Sequence, residues 1–381
     1  MKRKIAITTG TRSEYGILRP LLKEISKSKK LELCLIVAGM HLSKKFGMTI
    51  NEIKNDGFSI YAKINMVPKG NTPFHMAQSL GMGIIQFSKI FQKLQPDINL
   101  ILGDRDEPFA SAIAASHMNI VNAHIHGGEV SSGFDEYIRH SITKLSNIHF
   151  AVSKKSQKRI IKLGENPKNV FYTGSPSIDE VLHGKKSSKK VLEKKYNFKI
   201  NGDEILFLYH PVTTQFGESK KQIISILEGI IKLKKTTLAI APNSDAGNKE
   251  IFNYLEKFSK KYDFIKLYPS IPRQDYLGFL QNFGVLIGNS SSGLIEGSYF
   301  DIPVINLGIR QNGRERGKNV IDVKKISSIL IFKVLQNSLK HRKKIIIKNN
   351  VYGNGNASKK ITYILENIKL NDTLFEKQLS Y

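Results

Sequence analysis

Six carboxylates in two short loops have the makings of an acid–base site. Asp104, Asp106 and Glu107 lie in GDRDE, and Glu129, Asp135 and Glu136 lie in GGEVSSGFDE. Paired carboxylates can remove and return protons beside a cationic sugar carbon. His124, His126 and His140 are close to both loops in sequence. With Asp104, the His124-x-His126 pair offers a second reading, a carboxylate–imidazole metal site. No HExxH-like spacing supports it, and a buried strand histidine accounts for His124 equally well.

Other stretches suit anions. GNSSSG, residues 288–293, is a loop of small residues whose hydroxyls and free backbone N–H groups can cradle a diphosphate at a helix start. Glu296 follows within a turn and is placed to accept from ribose hydroxyls. GIRQNGRERG contributes Arg310, Arg314 and Arg316. In TTGTRSEYG, Arg12 stands at the start of a helical pattern, a further anion position. That turn lacks GxGxxG, so a dinucleotide cofactor has no support. Polar turns with serine caps would explain these loops if nothing drew them together.

The loops need elements to hold them. KIAITTG, LELCLIVAG, DINLILG, NIVNAHI, NIHFAVS and NVFYTG read as strands, each followed by a helical or polar stretch. Helices are expected over 42–56, 73–94, 107–117, 134–145 and 153–163. After a basic, polar stretch the alternation restarts with EILFLY, TTLAIAP, FIKLY, GVLIG and IPVINL. This pattern predicts an α/β fold with two doubly wound parallel sheets. The expected division is a first domain over 1–180, a linker over 181–203, a second domain over 204–355 and a C-terminal helix over 356–381 that packs back on the first domain. Two such domains facing one another form a cleft, the usual place for a ligand.

The net charge of +27 invites a nucleic-acid reading. The lysines are scattered through SKSKK, KKSQKR, KKSSKK and HRKK without a basic–aromatic stripe, so no nucleic-acid partner is expected. The single cysteine, Cys34, sits in an apolar run and excludes a disulfide framework. No apolar run approaches the roughly 18 residues that span a bilayer, and MKRKIAITTG does not read as a signal peptide. A cytoplasmic protein without a membrane partner is expected.

GDRDEPFA, HIHGGEVSSGFDEYIRHSITKL, HPVTTQ, APNSDAGNKE, GNSSSGLIE and PVINLGIRQNGRERGKNV, in this order, resemble the hydrolysing UDP-N-acetylglucosamine 2-epimerases. These are the bacterial sialic-acid and legionaminic-acid type and the epimerase half of the bifunctional animal enzyme. The resemblance implies two Rossmann-like domains facing a cleft, as in GT-B glycosyltransferases. It implies that UDP-N-acetylglucosamine and water give UDP and N-acetylmannosamine through a 2-acetamidoglycal, with no NAD and no metal cofactor. It implies a homodimer or homotetramer. By position, Arg12, Asn243, Ser290, Ser291, Gly293, Glu296 and Arg310 would contact the nucleotide or diphosphate. Asp104, Glu129, Asp135 and His210 would be catalytic. Either Glu129 or Asp104 would take the C2 proton and later protonate C2 from the other face, and Asp135 would steer water. Arg139 would keep the carboxylates ionised, and His210 and Arg310 would neutralise the departing diphosphate. His41, Arg105 and His126 are candidates to touch the sugar. The animal enzyme has Glu where His126 stands. HIHGGE also occurs in relatives acting on a UDP- or GDP-linked 2,4-diacetamido-2,4,6-trideoxy sugar, which is the alternative substrate. A GT-B glycosyltransferase is the alternative class, disfavoured by the carboxylate-rich loops.

Overall fold

The computed structural model describes residues 2–67, 70, 72–341 and 351–381. Among them, two fully parallel sheets form. The first contains β1 (Arg3–Thr9), β2 (Leu31–Ala38), β3 (Ile60–Ile64), β4 (Ile98–Leu102), β5 (Val121–Ile125), β6 (Ile148–Ala151) and β7 (Val170–Tyr172) in the order β3-β2-β1-β4-β5-β6-β7. The second contains β8 (Ile205–Leu208), β9 (Thr237–Ile240), β10 (Ile265–Tyr268), β11 (Val285–Gly288), β12 (Val304–Leu307) and β13 (Val320–Val323) in the order β10-β9-β8-β11-β12-β13. The central strands INLIL, VNAHI and VINL are buried along their whole length, as strands covered by helices on both faces must be. This is the two-domain α/β architecture expected from the alternation of elements.

In each sheet the strand order reverses once, between β1 and β4 and between β8 and β11. Loops at the carboxyl ends of strands flanking such a point form a ligand crevice. Gly10–Arg12 follow β1, Gly103–Arg105 follow β4, His210 follows β8, and Asn289–Ser291 follow β11. At β11 the backbone demands glycine. Gly288 has φ +151°, and an added Cβ would lie 1.6 Å from the Leu208 carbonyl oxygen. The helix Arg12–Lys27 starts on a capping box in which Thr11 and Glu14 satisfy each other's backbone, and it buries Leu18, Leu21, Leu22 and Ile25.

Several elements differ from the sequence expectation. The stretch 42–56 is two short 3₁₀ turns and a helix, Ile50–Asn55, because Gly47 and Met48 take left-handed φ of +89° and +47° and interrupt it. The polar stretch 181–203 carries a helix, Lys189–Tyr196, whose Leu192 and Tyr196 are buried. Asp275, from the helix Arg273–Asn282, binds Lys195 Nζ at 2.6 Å and the Tyr196 hydroxyl at 2.8 Å. Gly83 in the helix Pro73–Leu94 faces inward, where an added Cβ would meet Met66 and Ala110, whereas Gly81 opens to space. Among the described residues, no helix is long and apolar enough to cross a membrane.

The helix Ala357–Asn367 lies against the helices Arg12–Lys27 and Pro176–His183. Asp179 caps it, accepting from Ala357 N at 3.0 Å and Ser358 N at 2.7 Å. Asp179→Ala leaves two buried N–H donors unpaired. We expect a loss of about 1–2 kcal/mol, read as a lower melting temperature. A melting temperature equal to the parent's contradicts this role.

Candidate active site

The carboxyl edges of the two sheets face each other across one cleft. The first domain lines it with Thr11–Glu14, Leu102–Arg105, His126, Asp135 and Ser177, and the second with His210, Ala241–Asn243, Ser290–Ser292, Glu296, Arg310, Gln311 and Arg314.

On the first wall, Arg139 organises the acids. Its side chain has 0 % exposure. Nη2 donates to Asp104 and to Ser131 Oγ at 2.8 Å; Nη1 donates to Glu136 Oε2 at 2.7 Å and the Glu129 carbonyl at 3.2 Å. The helix Phe134–Leu145 makes this possible by carrying Asp135 and Glu136 in its first turn and Arg139 one turn later. Burial works to raise the pKa of Asp104, but Arg139, Arg314 and Arg310 outweigh it and hold the carboxyl below its ordinary value. Glu129 is also held low: burial opposes ionisation, and Arg314 and His126 overcome it. Its Oε2 lies 2.7 Å from His126 Nδ1 and 3.9 Å from Arg314. Asp135 differs. Burial raises it, and its ion pair with Arg310, at 2.9 Å, only partly offsets the rise.

On the opposite wall, Ser290 precedes the short helix Ser291–Ile295. Ser292 Oγ lies 2.7 Å from the Tyr276 hydroxyl and 3.1 Å from Ser290 Oγ. His210 Nδ1 accepts from Asn243 N at 3.2 Å, which assigns the ring proton to Nε2. Burial, then Arg310, push this imidazole down to about 3. His210 is therefore neutral in this cleft, with its proton on Nε2. Glu296 is engaged by Arg273, whose Nη1 and Nη2 bind its two oxygens at 2.8 and 2.7 Å.

The domains meet directly around the cleft. Arg105 Nη1 reaches Asp245 at 3.4 Å, Arg12 Nη1 donates to Ser270 Oγ at 2.8 Å, and Ser132 N donates to the Arg310 carbonyl at 3.1 Å. Arg12 also pairs with Glu52 at 2.7 Å.

Thus Arg12, Asp104, Arg105, His126, Asp135, His210, Asn243, Ser290, Ser291, Glu296 and Arg310 all line the cleft. Four expected site residues do not. His41 is buried between Thr9 Oγ1, at 3.0 Å, and Thr49 Oγ1, at 2.7 Å, and burial pushes it down to about 3, so it acts as a neutral strut. Gly293 packs on Leu286 and Val304. Glu129 and Arg139 stand behind the first wall. The paired-histidine reading also gives way. His124 lies within β5, bonded through Nε2 to the Gly103 carbonyl at 2.8 Å and facing Thr143 Oγ1 at 3.2 Å through Nδ1. His126 lies beyond the strand end with φ +70°. Among the described residues, no three His, Cys, Asp or Glu side chains converge as metal ligands. Arg273, Tyr276 and Ser177 line the cleft unannounced by any motif, and Gln311 joins them from within GIRQNGRERG.

Residues 23–366 match the family model described as UDP-N-acetylglucosamine 2-epimerase. The chain belongs to that family. It is 37 % identical over the full length of both chains to the UDP-N,N'-diacetylbacillosamine 2-epimerase (hydrolyzing) of Legionella pneumophila. It is 37 % identical, over 84 % of each chain, to the GDP/UDP-N,N'-diacetylbacillosamine 2-epimerase (hydrolyzing) of Campylobacter jejuni. The fold matches the crystal structure of UDP-GlcNAc 2-epimerase from Neisseria meningitidis bound to UDP-GlcNAc with a TM-score of 0.79, at 20 % identity, over 95 % of this chain and 99 % of that one.

The Arg139 network has a measurable consequence. In a carbon-detected NMR titration, the Asp104 carboxyl is expected to ionise below its ordinary range. In Arg139→Met the midpoint should move upward, because burial remains and the nearest cation is gone. An unchanged midpoint would show that Arg139 does not set it.

Proposed function

We propose that this protein is a hydrolysing nucleotide-sugar 2-epimerase. The supporting observation is one cleft with an ionised acid wall, centred on Asp104, facing a cradle of Ser290–Ser292, Arg310 and the neutral His210. In this reading the diphosphate lies in the cradle, where hydroxyls, the helix start and Arg310 stabilise charge developing on the leaving oxygen. Arg310 exchanges Asp135 for the diphosphate. Asp104 takes the C2 proton as the C1–O bond breaks, giving the glycal and the nucleoside diphosphate. Of the two expected bases, Asp104 is preferred because it reaches the cleft and Glu129 does not. Asp135, freed from Arg310, guides water to C1 while C2 is protonated on the opposite face.

For the sugar we favour UDP-linked 2,4-diacetamido-2,4,6-trideoxyglucose. Two relatives matched over most or all of their length carry that substrate in their names, one of them with GDP as well as UDP. HIHGGE is consistent with it. UDP-N-acetylglucosamine, the first expectation from the sequence, is the second reading, supported by the family description.

Incubation in deuterated water with UDP- and GDP-linked diacetamido sugar, and separately with UDP-N-acetylglucosamine, tests both levels. Release of UDP with deuterium at C2 of a manno-configured diacetamido sugar is expected. Unlabelled C2, or no release from any substrate, sinks the mechanism; preferential turnover of UDP-N-acetylglucosamine sinks the sugar assignment. Asp104→Asn should lower turnover by roughly 10²-fold or more, and near-parent turnover would remove it as the base.

A further inference from the structure

His210 is a neutral imidazole in the cleft wall, so it carries one ring proton. Which nitrogen holds that proton decides what the ring can donate to. The backbone of His210 is fixed from β11. Its N–H donates to Asn289 Oδ1 at 2.7 Å, and its carbonyl accepts from Asn289 Nδ2 at 2.8 Å. The ring is set separately, from the loop after β9, by the bond from Asn243 N to Nδ1 at 3.2 Å. A backbone N–H only donates, so Nδ1 accepts and Nε2 keeps the proton.

Asn243 is itself tied down. Its Nδ2 donates to Asp245 Oδ2 at 2.5 Å, and its Oδ1 accepts from Asp245 N at 3.4 Å. The two bonds close residues 243–245 into a compact turn. The other carboxylate oxygen of Asp245 faces the first domain, where Arg105 Nη1 reaches Oδ1 at 3.4 Å. Arg105 Nη2 donates to Ser244 Oγ at 3.3 Å. The same loop is seated a second time on the first domain, since Ala246 N donates to Met76 Sδ at 3.4 Å. Arg105, Asn243 and His210 line the cleft, and the buried Asp245 does not. Whatever Asp245 does for the site, it does through them.

We propose that Asp245 is a positioning residue which, by tying Asn243 to Arg105 of the facing wall, fixes the His210 proton on Nε2. Arg105 follows Asp104 in the loop after β4, so the tie runs from the acid wall to the imidazole of the opposite domain. A fixed Nε2–H is a donor that needs no reorientation when charge develops on the departing diphosphate. That use of the proton rests on the epimerase reading, whereas the tie itself does not.

A purely structural reading makes Asp245 a brace at the start of the helix Asn248–Lys261. That join runs through its carbonyl, which accepts from Asn248 N at 3.1 Å and Nδ2 at 2.8 Å. Replacing the side chain leaves the join in place, so Asp245→Ala separates the two roles. Full-length parent, Asp245→Ala, Asn243→Ala and Arg105→Met are labelled in their histidine ring nitrogens and compared by nitrogen NMR without substrate. A protonated ring nitrogen and one with a lone pair resonate far apart, and loss of signals in His210→Gln assigns the ring. The parent should show His210 with a lone pair on Nδ1 and a proton on Nε2. All three variants should show a fraction of the form protonated on Nδ1. With the best nucleotide sugar, Asp245→Ala should lower kcat about tenfold and leave KM within about twofold. A parent-like His210 spectrum in Asp245→Ala, Asn243→Ala or Arg105→Met overturns the proposal, even where the melting temperature falls. A changed spectrum with parent-like kcat in Asp245→Ala overturns the use of the proton. A parent that turns over no nucleotide sugar overturns the epimerase reading, and the spectra alone then decide the tie.

Discussion

A buried guanidinium holds the first wall of the cleft together. Arg139 has no exposed side-chain surface, so its charge must be met inside the protein. It is met by Asp104 from one loop, by Glu136 from its own helix, and by Ser131 and the Glu129 carbonyl from a third segment. Removing one partner from such a buried pair typically costs about 3–5 kcal/mol. The same contacts that prevent that cost join the loops after β4 and β5 to the helix Phe134–Leu145. They also settle the protonation of Asp104, which stays ionised despite burial. Packing and acid–base readiness thus have one cause.

The second domain contributes the opposite chemistry. Its two β-strand edges at β8 and β11 present a neutral imidazole, serine hydroxyls and a short helix start. From the loop after β12, Arg310 extends to Asp135 and Arg314 to Glu129. These contacts across the cleft hold cation and carboxylate together. In the proposed reaction a diphosphate competes for Arg310 and frees Asp135, whose carboxyl already sits above its ordinary pKa. Binding at one wall would then ready a group on the other.

Much of this was readable from the chain. The loops GDRDE, GGEVSSGFDE and GNSSSG follow buried β-branched runs, and a parallel sheet sends such loops to one edge. Their cleft-lining residues follow from that periodicity. What the sequence could not show was depth. His41 and His126 both follow strands, but His126 lines the cleft, while His41 is clasped by Thr9 and Thr49. Glu129 and Asp104 look equivalent as letters, and three-dimensional order alone puts one behind the other. Arg273 carries no motif because its meaning lies in a partner 23 residues away. The helix Lys189–Tyr196 was hidden by lysines that surround a narrow apolar stripe.

The central claim is a division of labour: acids on the first wall, diphosphate on the second. Diffraction from crystals soaked in UDP tests it most directly. The account expects the diphosphate against Ser290–Ser292 and Arg310, with Asp135 released from Arg310 and the Arg139 contacts intact. A diphosphate seated against Gly103–Arg105, with Arg310 still paired to Asp135, would contradict it.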